Sequence, residues 1–91
     1  MLTFKDCLAL CDLSEEEVKA IAEHEHIPQL AAMELGNYLV RTPDGVPMIR
    51  KMIVDDIAAA DARGDTVHAL KLRYVLYRFA ITHPDPHVQT R

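Results

Sequence analysis

The start and stop signals of one helix both occur in the stretch Ser14-Glu15-Glu16-Glu17-Val18-Lys19-Ala20-Ile21-Ala22-Glu23-His24-Glu25-His26-Ile27-Pro28. Ser14 and Glu17 have the spacing of a capping box, in which each side chain accepts a hydrogen bond from the other residue's backbone N–H. Pro28 ends the helix, because the residue before a proline is disfavoured in the α region. The stretch therefore predicts a helix whose buried stripe includes Val18 and Ile21.

Capping residues, prolines and glycines divide the rest of the chain in the same way. Proline suits the first turn of a helix and stops a helix that precedes it, whereas a cation followed by glycine suits a helix C-terminus. On these signals we predict helices at about 3–11, 14–27, 28–40, 47–63 and 65–82. No segment has the pattern of a strand, so the predicted fold class is all-α, a compact bundle of about five short helices.

The length of 91 residues is enough for one domain with a thin hydrophobic core. We assign residues 1–83 to a single helical domain and residues 84–91 to a mobile C-terminal tail, because Pro84 and Pro86 cannot continue the last helix. Apolar residues make up 49% of the chain and charged residues 26%, which is the balance of a soluble globular protein.

Charge and hydropathy exclude two classes of partner. The formal net charge of −4 argues against nucleic acid, since binding to a phosphate backbone relies on clustered Lys and Arg. No stretch approaches the roughly 20 apolar residues of a membrane-spanning helix, and the first residues lack a basic leader followed by an apolar run. We therefore expect a cytoplasmic protein that contacts neither nucleic acid nor membrane.

The predicted third helix contains a glycine in its interior. Gly36 costs about 1 kcal/mol relative to alanine at such a position, which indicates that another helix approaches closely there. The residues expected to face inward are Leu30, Ala31, Leu35, Tyr38 and Leu39. The pattern therefore predicts a helix that packs through both large side chains and a glycine.

The predicted fifth helix is apolar on two sides. One stripe consists of Val67, Leu70, Tyr74, Tyr77 and Ile81, and a second stripe, roughly opposite, consists of Leu72, Leu76 and Phe79. Either the helix is central and packed on both sides by the other four, or the second stripe is covered by another chain. Under the second alternative the interface residues are Leu72, Leu76, Phe79 and the neighbouring Arg73. They would join two copies of the chain or dock it on a protein partner.

Two of the five histidines lie with two glutamates at the end of the predicted second helix. Glu23 and His26 have the i, i+3 spacing that places a carboxylate and an imidazole on one helix face, as in di-iron bundles. The chain has no second copy of this pair, so a metal or small-ligand site formed by Glu23, His26 and His24 is an alternative hypothesis only. If the corner is not a ligand site, the two glutamates are solvated. Their negative charges and the helix C-terminus then favour the charged form of the imidazole.

Two further groups have a structural and a functional interpretation. Cys7 and Cys11, four residues apart on a helix, are too distant for a disulfide, so we expect reduced thiols in the core. Asp56 borders the apolar stripe of the fourth helix and needs a partner if it is half-buried. The expected partners are Arg73, Arg78 or the hydroxyl of Tyr74 or Tyr77. Alternatively Asp56 is a perturbed acid that lines a pocket.

Three segments carry a likeness to other proteins: 11–17 (Cys-Asp-Leu-Ser-Glu-Glu-Glu), 22–28 (Ala-Glu-His-Glu-His-Ile-Pro) and 41–47 (Arg-Thr-Pro-Asp-Gly-Val-Pro). With these segments the chain resembles a family of small uncharacterised bacterial all-helical proteins, over most of its length. The resemblance implies a cytoplasmic bacterial protein and brings no catalytic residue or ligand.

These observations favour a binding protein over an enzyme. No motif completes a catalytic signature, and we predict no cofactor. The predicted function is a non-catalytic interaction module that acts by self-association, as a homodimer or larger homo-oligomer, or by docking on a protein partner. The alternative is a metal- or small-ligand-binding protein that uses the helix corner from Glu23 to His26.

Overall fold

Residues 3–84, which the computed structural model describes, form five α-helices joined by short turns. The helices are α1 Phe4–Ala9, α2 Glu15–Glu25, α3 Gln29–Leu39, α4 Gly45–Ala62 and α5 Thr66–Thr82. No strand occurs in this part of the chain, so the predicted all-α fold is confirmed. The predicted tail, residues 84–91, lies outside the described residues apart from Pro84 and stays a prediction.

The start of α2 has the predicted capping box. The hydroxyl of Ser14 accepts a hydrogen bond from the Glu17 backbone N–H at 3.2 Å, and the Glu17 carboxylate accepts one from the Ser14 N–H at 2.9 Å. Thr3 caps α1 in the same way, and the side chain of Asp65 caps α5. Each cap satisfies backbone donors that have no partner inside the helix, so these three helix starts are determined locally.

Removal of the Ser14 hydroxyl is expected to lower the free energy of unfolding by about 1 kcal/mol, because the Glu17 N–H loses its acceptor. Urea denaturation of Ser14→Ala measures the loss. Thr66→Ala is the matched control, since Thr66 is an exposed hydroxyl residue at a helix start whose cap is the preceding Asp65. Equal midpoints for the wild type and Ser14→Ala would contradict a stabilising role for the cap.

Close packing of α2 on α3 is centred on Gly36. This agrees with the prediction that another helix approaches closely at this glycine. A Cβ atom at this position would overlap Cδ1 of Leu13 and lie 2.8 Å from Cδ1 of Ile21. The predicted inward face of α3 is only partly right, because Leu30 and Tyr38 are 53% and 66% exposed. The buried residues of α3 are Ala32, Met33, Gly36 and Leu39. The small residues allow α2 to approach, and this contact determines the rotation of α3.

The fourth helix begins two residues before the predicted start at Pro47. Its first residue, Gly45, is buried, and a Cβ atom there would overlap the carbonyl of Leu39. Pro47 therefore lies within the first turn of α4, where its missing N–H costs no helical hydrogen bond. The helix packs most extensively against α5, and the largest fully buried side chains come from α2, α4 and α5. They are Phe79, Ile21, Ile49, Ile53 and Val18.

The two apolar stripes of α5 have different environments. Leu72 and Phe79 are buried, at 4% and 0% exposure, and Leu76 packs partly buried against the same core. The prediction that these residues face another chain is therefore wrong, and so is the alternative of a helix covered on both sides. The described residues extend only 17 Å along their shortest axis, so α5 has the core on one side and solvent on the other.

Candidate functional site

Two histidine–carboxylate pairs bring the end of α2, the middle of α4 and the start of α5 together. Nε2 of His68 lies 2.8 Å from Oε1 of Glu23, and Nε2 of His24 lies 3.2 Å from Oδ2 of Asp55. Sequence reasoning placed Glu23 and His24 at a site but missed His68. The partners Glu23 and His68 are 45 residues apart, and no local pattern connects them.

A buried carboxylate, Asp56 of α4, lies near both pairs. The residue is 5% exposed, and within residues 3–84 no group donates a hydrogen bond to its Oδ2. Burial is the main reason why the pKa of Asp56 rises to about 6, and the negative charges of Glu23 and Asp55 act in the same direction. The charges of His24 and His68 partly oppose the rise. Asp56 therefore changes its protonation state at about pH 6 rather than near pH 4.

The partners expected for Asp56 are used elsewhere. Arg73 donates to Oδ2 of Asp61 at 2.7 Å, and Nη1 of Arg78 donates to the hydroxyl of Tyr74 at 3.3 Å. Both side chains lie at the exposed part of α5, because the buried part of this helix faces α4. The prediction of a structural ion pair or tyrosine contact for Asp56 is wrong, and the perturbed-acid interpretation agrees with its raised pKa.

The pKa of His24 is shifted in the direction that its neighbouring carboxylates predict. Burial lowers its pKa, but hydrogen bonds to Glu25 and Asp55 outweigh burial, so the pKa is raised overall. The pKa of Asp55 is lowered, chiefly because its carboxylate accepts a hydrogen bond from His24. The partners differ in part from those expected, since Glu23 is paired with His68 rather than acting on His24.

The predicted ligand corner is not assembled. His26 is the C-terminal cap of α2 with a left-handed φ of 58°, and its side chain is exposed. Glu23 is partly buried and directed at His68 instead. Within residues 3–84, no group of three or more His, Cys, Asp or Glu side chains is placed to hold a metal ion. Cys7 and Cys11 are free thiols, both partly buried.

The exposed stripe of α5 contains five of the ten large apolar side chains that are exposed on the described surface. Its members, with exposed fractions of 71, 68, 60, 62 and 56%, are Val67, Leu70, Tyr74, Tyr77 and Ile81. We refer to these five residues as the α5 face. They are spaced alternately by three and four residues, which is the spacing of the seam that one helix presents to another in a coiled coil.

Basic side chains border the α5 face on both edges. At 100° per residue, Lys71 and Arg78 lie on one edge and Arg73 on the other. Residues 66–82 contain no Asp or Glu, although the whole chain carries a net charge of −4. The α5 face is therefore an apolar seam with cationic edges on an acidic protein.

A cleft of about 310 Å³ runs beside the α5 face, between α5 and the start of α2. Its floor includes the buried side chain of Val75, and Tyr74 forms part of its α5 wall. A second cleft, lined by Leu70 and Lys71, shares Glu16, Tyr74 and Val75 with the first. The two clefts form one groove along the edge of α5 that carries Lys71 and Arg78.

No family model, curated protein or solved structure matches the chain. The family resemblance drawn from the three sequence segments therefore stays a prediction, and the geometry of the described residues has to carry the functional argument. None of the five described helices is both long enough and apolar enough to cross a bilayer.

Proposed function

We propose that the protein is a non-catalytic interaction module that docks on a helix of a protein partner through the α5 face. The observation that carries this proposal is the exposed apolar seam of α5, in which every side chain is at least 56% exposed. Partner helices bind through apolar side chains at i, i+3, i+4 and i+7. The α5 face has this spacing over four turns, so its geometry suits a second helix laid alongside it.

The size of the α5 face supports docking over a random scatter of surface apolar residues. Two tyrosine side chains of roughly 150 to 250 Å² each, together with three aliphatic ones, present several hundred Å² of largely exposed surface. The largest patches on monomeric proteins measure roughly 300 to 600 Å² and are often functional. Each partner of a standard interface contributes roughly 800 Å², and the adjoining groove adds to the available area.

The thinness of the part formed by residues 3–84 explains why these residues leave the α5 face uncovered. Among the described helices, α4 packs extensively against α5 and α2 packs against it less, and the extensive contact with α4 is on the buried side. A shape that is 41 Å by 36 Å but only 17 Å thick leaves no helix for the opposite side. A protein partner would therefore complete the burial of an apolar helix face that residues 3–84 leave in water.

The docking proposal predicts that a probe helix binds at the α5 face. The probe is a peptide of about three heptads with leucine at the seam positions and glutamine at the flanking positions. Titration into the labelled protein, followed by NMR, is expected to shift the amides of α5. Tyr77→Glu is expected to weaken binding at least tenfold, because the new carboxylate would be desolvated in the interface.

Tyr38→Glu is the matched control, since Tyr38 on α3 is exposed to 66%, close to the 62% of Tyr77. This variant is expected to bind the probe as the wild type does. Circular dichroism of both variants verifies that the helices are retained. Equal weakening by the two substitutions, or amide shifts centred away from α5, would refute docking at this face.

A further inference from the structure

We infer that the partner helix carries Asp or Glu along the edge of its apolar seam that meets Lys71 and Arg78, an inference that rests on the proposed docking at the α5 face. Lys71, Arg73 and Arg78 border this face, and residues 66–82 hold no acidic side chain. In paired helices the residues that flank the seam lie opposite the flanking residues of the partner. A cationic edge therefore selects a partner with an anionic edge.

The edge formed by Lys71 and Arg78 is the one with charge available. Within residues 3–84, Lys71 makes no ion pair, and the hydrogen bond of Arg78 goes to a tyrosine hydroxyl rather than to a carboxylate. Arg73 on the other edge already pairs with Asp61 at 2.7 Å. The groove along this edge is also lined by Asp12, Glu16 and Glu17, of which Glu17 is the buried capping partner of Ser14 and Glu16 lies 3.6 Å from Lys19. Of the three cations that border the α5 face, Lys71 and Arg78 are thus the two that have no carboxylate partner within residues 3–84.

The spacing of this edge specifies where the partner's carboxylates lie. Lys71 and Arg78 are seven residues apart, so their Cα atoms are separated by about 10 Å along the helix axis. A partner with acidic residues at i and i+7 beside its seam matches both cations at once. A single exposed ion pair contributes little, but the two together discriminate between acidic and basic partners.

The same charges disfavour a second copy of this chain as the occupant. In a symmetric dimer both chains use the same surface. Two α5 faces packed antiparallel about a two-fold axis bring the Lys71 and Arg78 edges of both copies together, whereas a parallel pair sets this edge opposite Arg73, which is paired with Asp61. Like charges brought together in an interface suppress that pairing. An acidic-edged helix of another protein meets the same apolar seam without this repulsion.

Two probe peptides with the same leucine seam test the inference, one with glutamate and one with lysine at the flanking positions. Isothermal titration calorimetry at low salt is expected to show at least tenfold tighter binding of the glutamate peptide. High salt is expected to reduce this ratio, because the edge charges are exposed and screened. In the double variant Lys71→Glu with Arg78→Glu, the preference is expected to reverse in favour of the lysine peptide.

Lys5→Glu with Arg41→Glu is the control, since it changes the net charge equally at exposed positions away from α5. Its peptide preference is expected to equal that of the wild type.

If the glutamine-flanked probe binds at the α5 face but the glutamate and lysine probes bind alike, the charge inference is overturned and the docking face stands. If no probe binds, the docking proposal itself fails. A wild-type dimer in sedimentation that Tyr77→Glu dissociates would assign the face to a second copy and overturn the inference.

Discussion

Phe79→Ala is expected to lower the free energy of unfolding by about 3 to 5 kcal/mol, the cost of removing a buried phenylalanine ring and leaving a cavity. Phe79 is fully buried and belongs to the core shared by α2, α4 and α5. The total free energy of unfolding of a small domain is only about 5 to 15 kcal/mol, so the variant is expected to lose a large part of its stability. Urea denaturation followed by circular dichroism measures the loss.

Tyr77→Ala is the control on the same helix, because Tyr77 is a large aromatic residue that is 62% exposed. The expected change there is within about 0.5 kcal/mol. If Phe79→Ala does not fold at all, Phe79→Leu retains most of the apolar volume and is expected to fold with reduced stability. Comparable losses for Phe79→Ala and Tyr77→Ala would mean that α5 is packed on both sides, contrary to the described fold.

Asp56→Asn is expected to stabilise the domain by about 3 kcal/mol at pH 8 and to have little effect near pH 4. The folded-state pKa of Asp56 is raised from 3.8 to about 6, and a rise of this size corresponds to about 3 kcal/mol against the ionised form. The stabilisation that the proton provides is fully present below pH 3.8 and is lost as pH rises through about 6. Asparagine has nearly the same shape and cannot ionise, so it avoids the loss.

Urea midpoints of the wild type and Asp56→Asn across this pH range test the effect. Asp61→Asn is the control, because Asp61 is an exposed carboxylate of the same helix that pairs with Arg73 and is not one of the charges that shift the pKa of Asp56. That variant is expected to give no stabilisation at pH 8. A gain for Asp56→Asn that is equal at pH 4 and pH 8 would show that ionisation of Asp56 is not its cause.

The wild type is expected to lose stability as pH rises from about 4 to 8, and two groups contribute in the same direction. Asp56 has a raised pKa because it is buried beside carboxylates. His24 also has a raised pKa, so its contribution is present below the unfolded value of 6.5 and lost as pH rises through the folded value. Part of the pH dependence should therefore persist in Asp56→Asn, where His24 still titrates.

The partners of the ionisable groups could be predicted only in part. Adjacent glutamates suggested a charged His24, and one of them, Glu25, does contact the ring. The contacts of Asp55 with His24 and of His68 with Glu23 depend on how α2 lies across α4 and α5, which no local spacing reveals. The assignment of Arg73 or Arg78 to Asp56 was wrong because the buried and exposed sides of α5 were not known.

The sequence by itself determined the all-α class and the approximate limits of the helices, since caps, prolines and glycines act within about one turn. The capping box of Ser14 and Glu17 is the clearest case. Only the tertiary structure decided which side of each helix is buried. Both stripes of α5 satisfy the helical period, and packing against α4 selected Leu72 and Phe79 for the core. In α3 the close contact at Gly36, rather than the larger side chains, determined which side of the helix is buried. Periodicity defines the apolar faces of a helix, but the neighbouring helices determine which of those faces are removed from water.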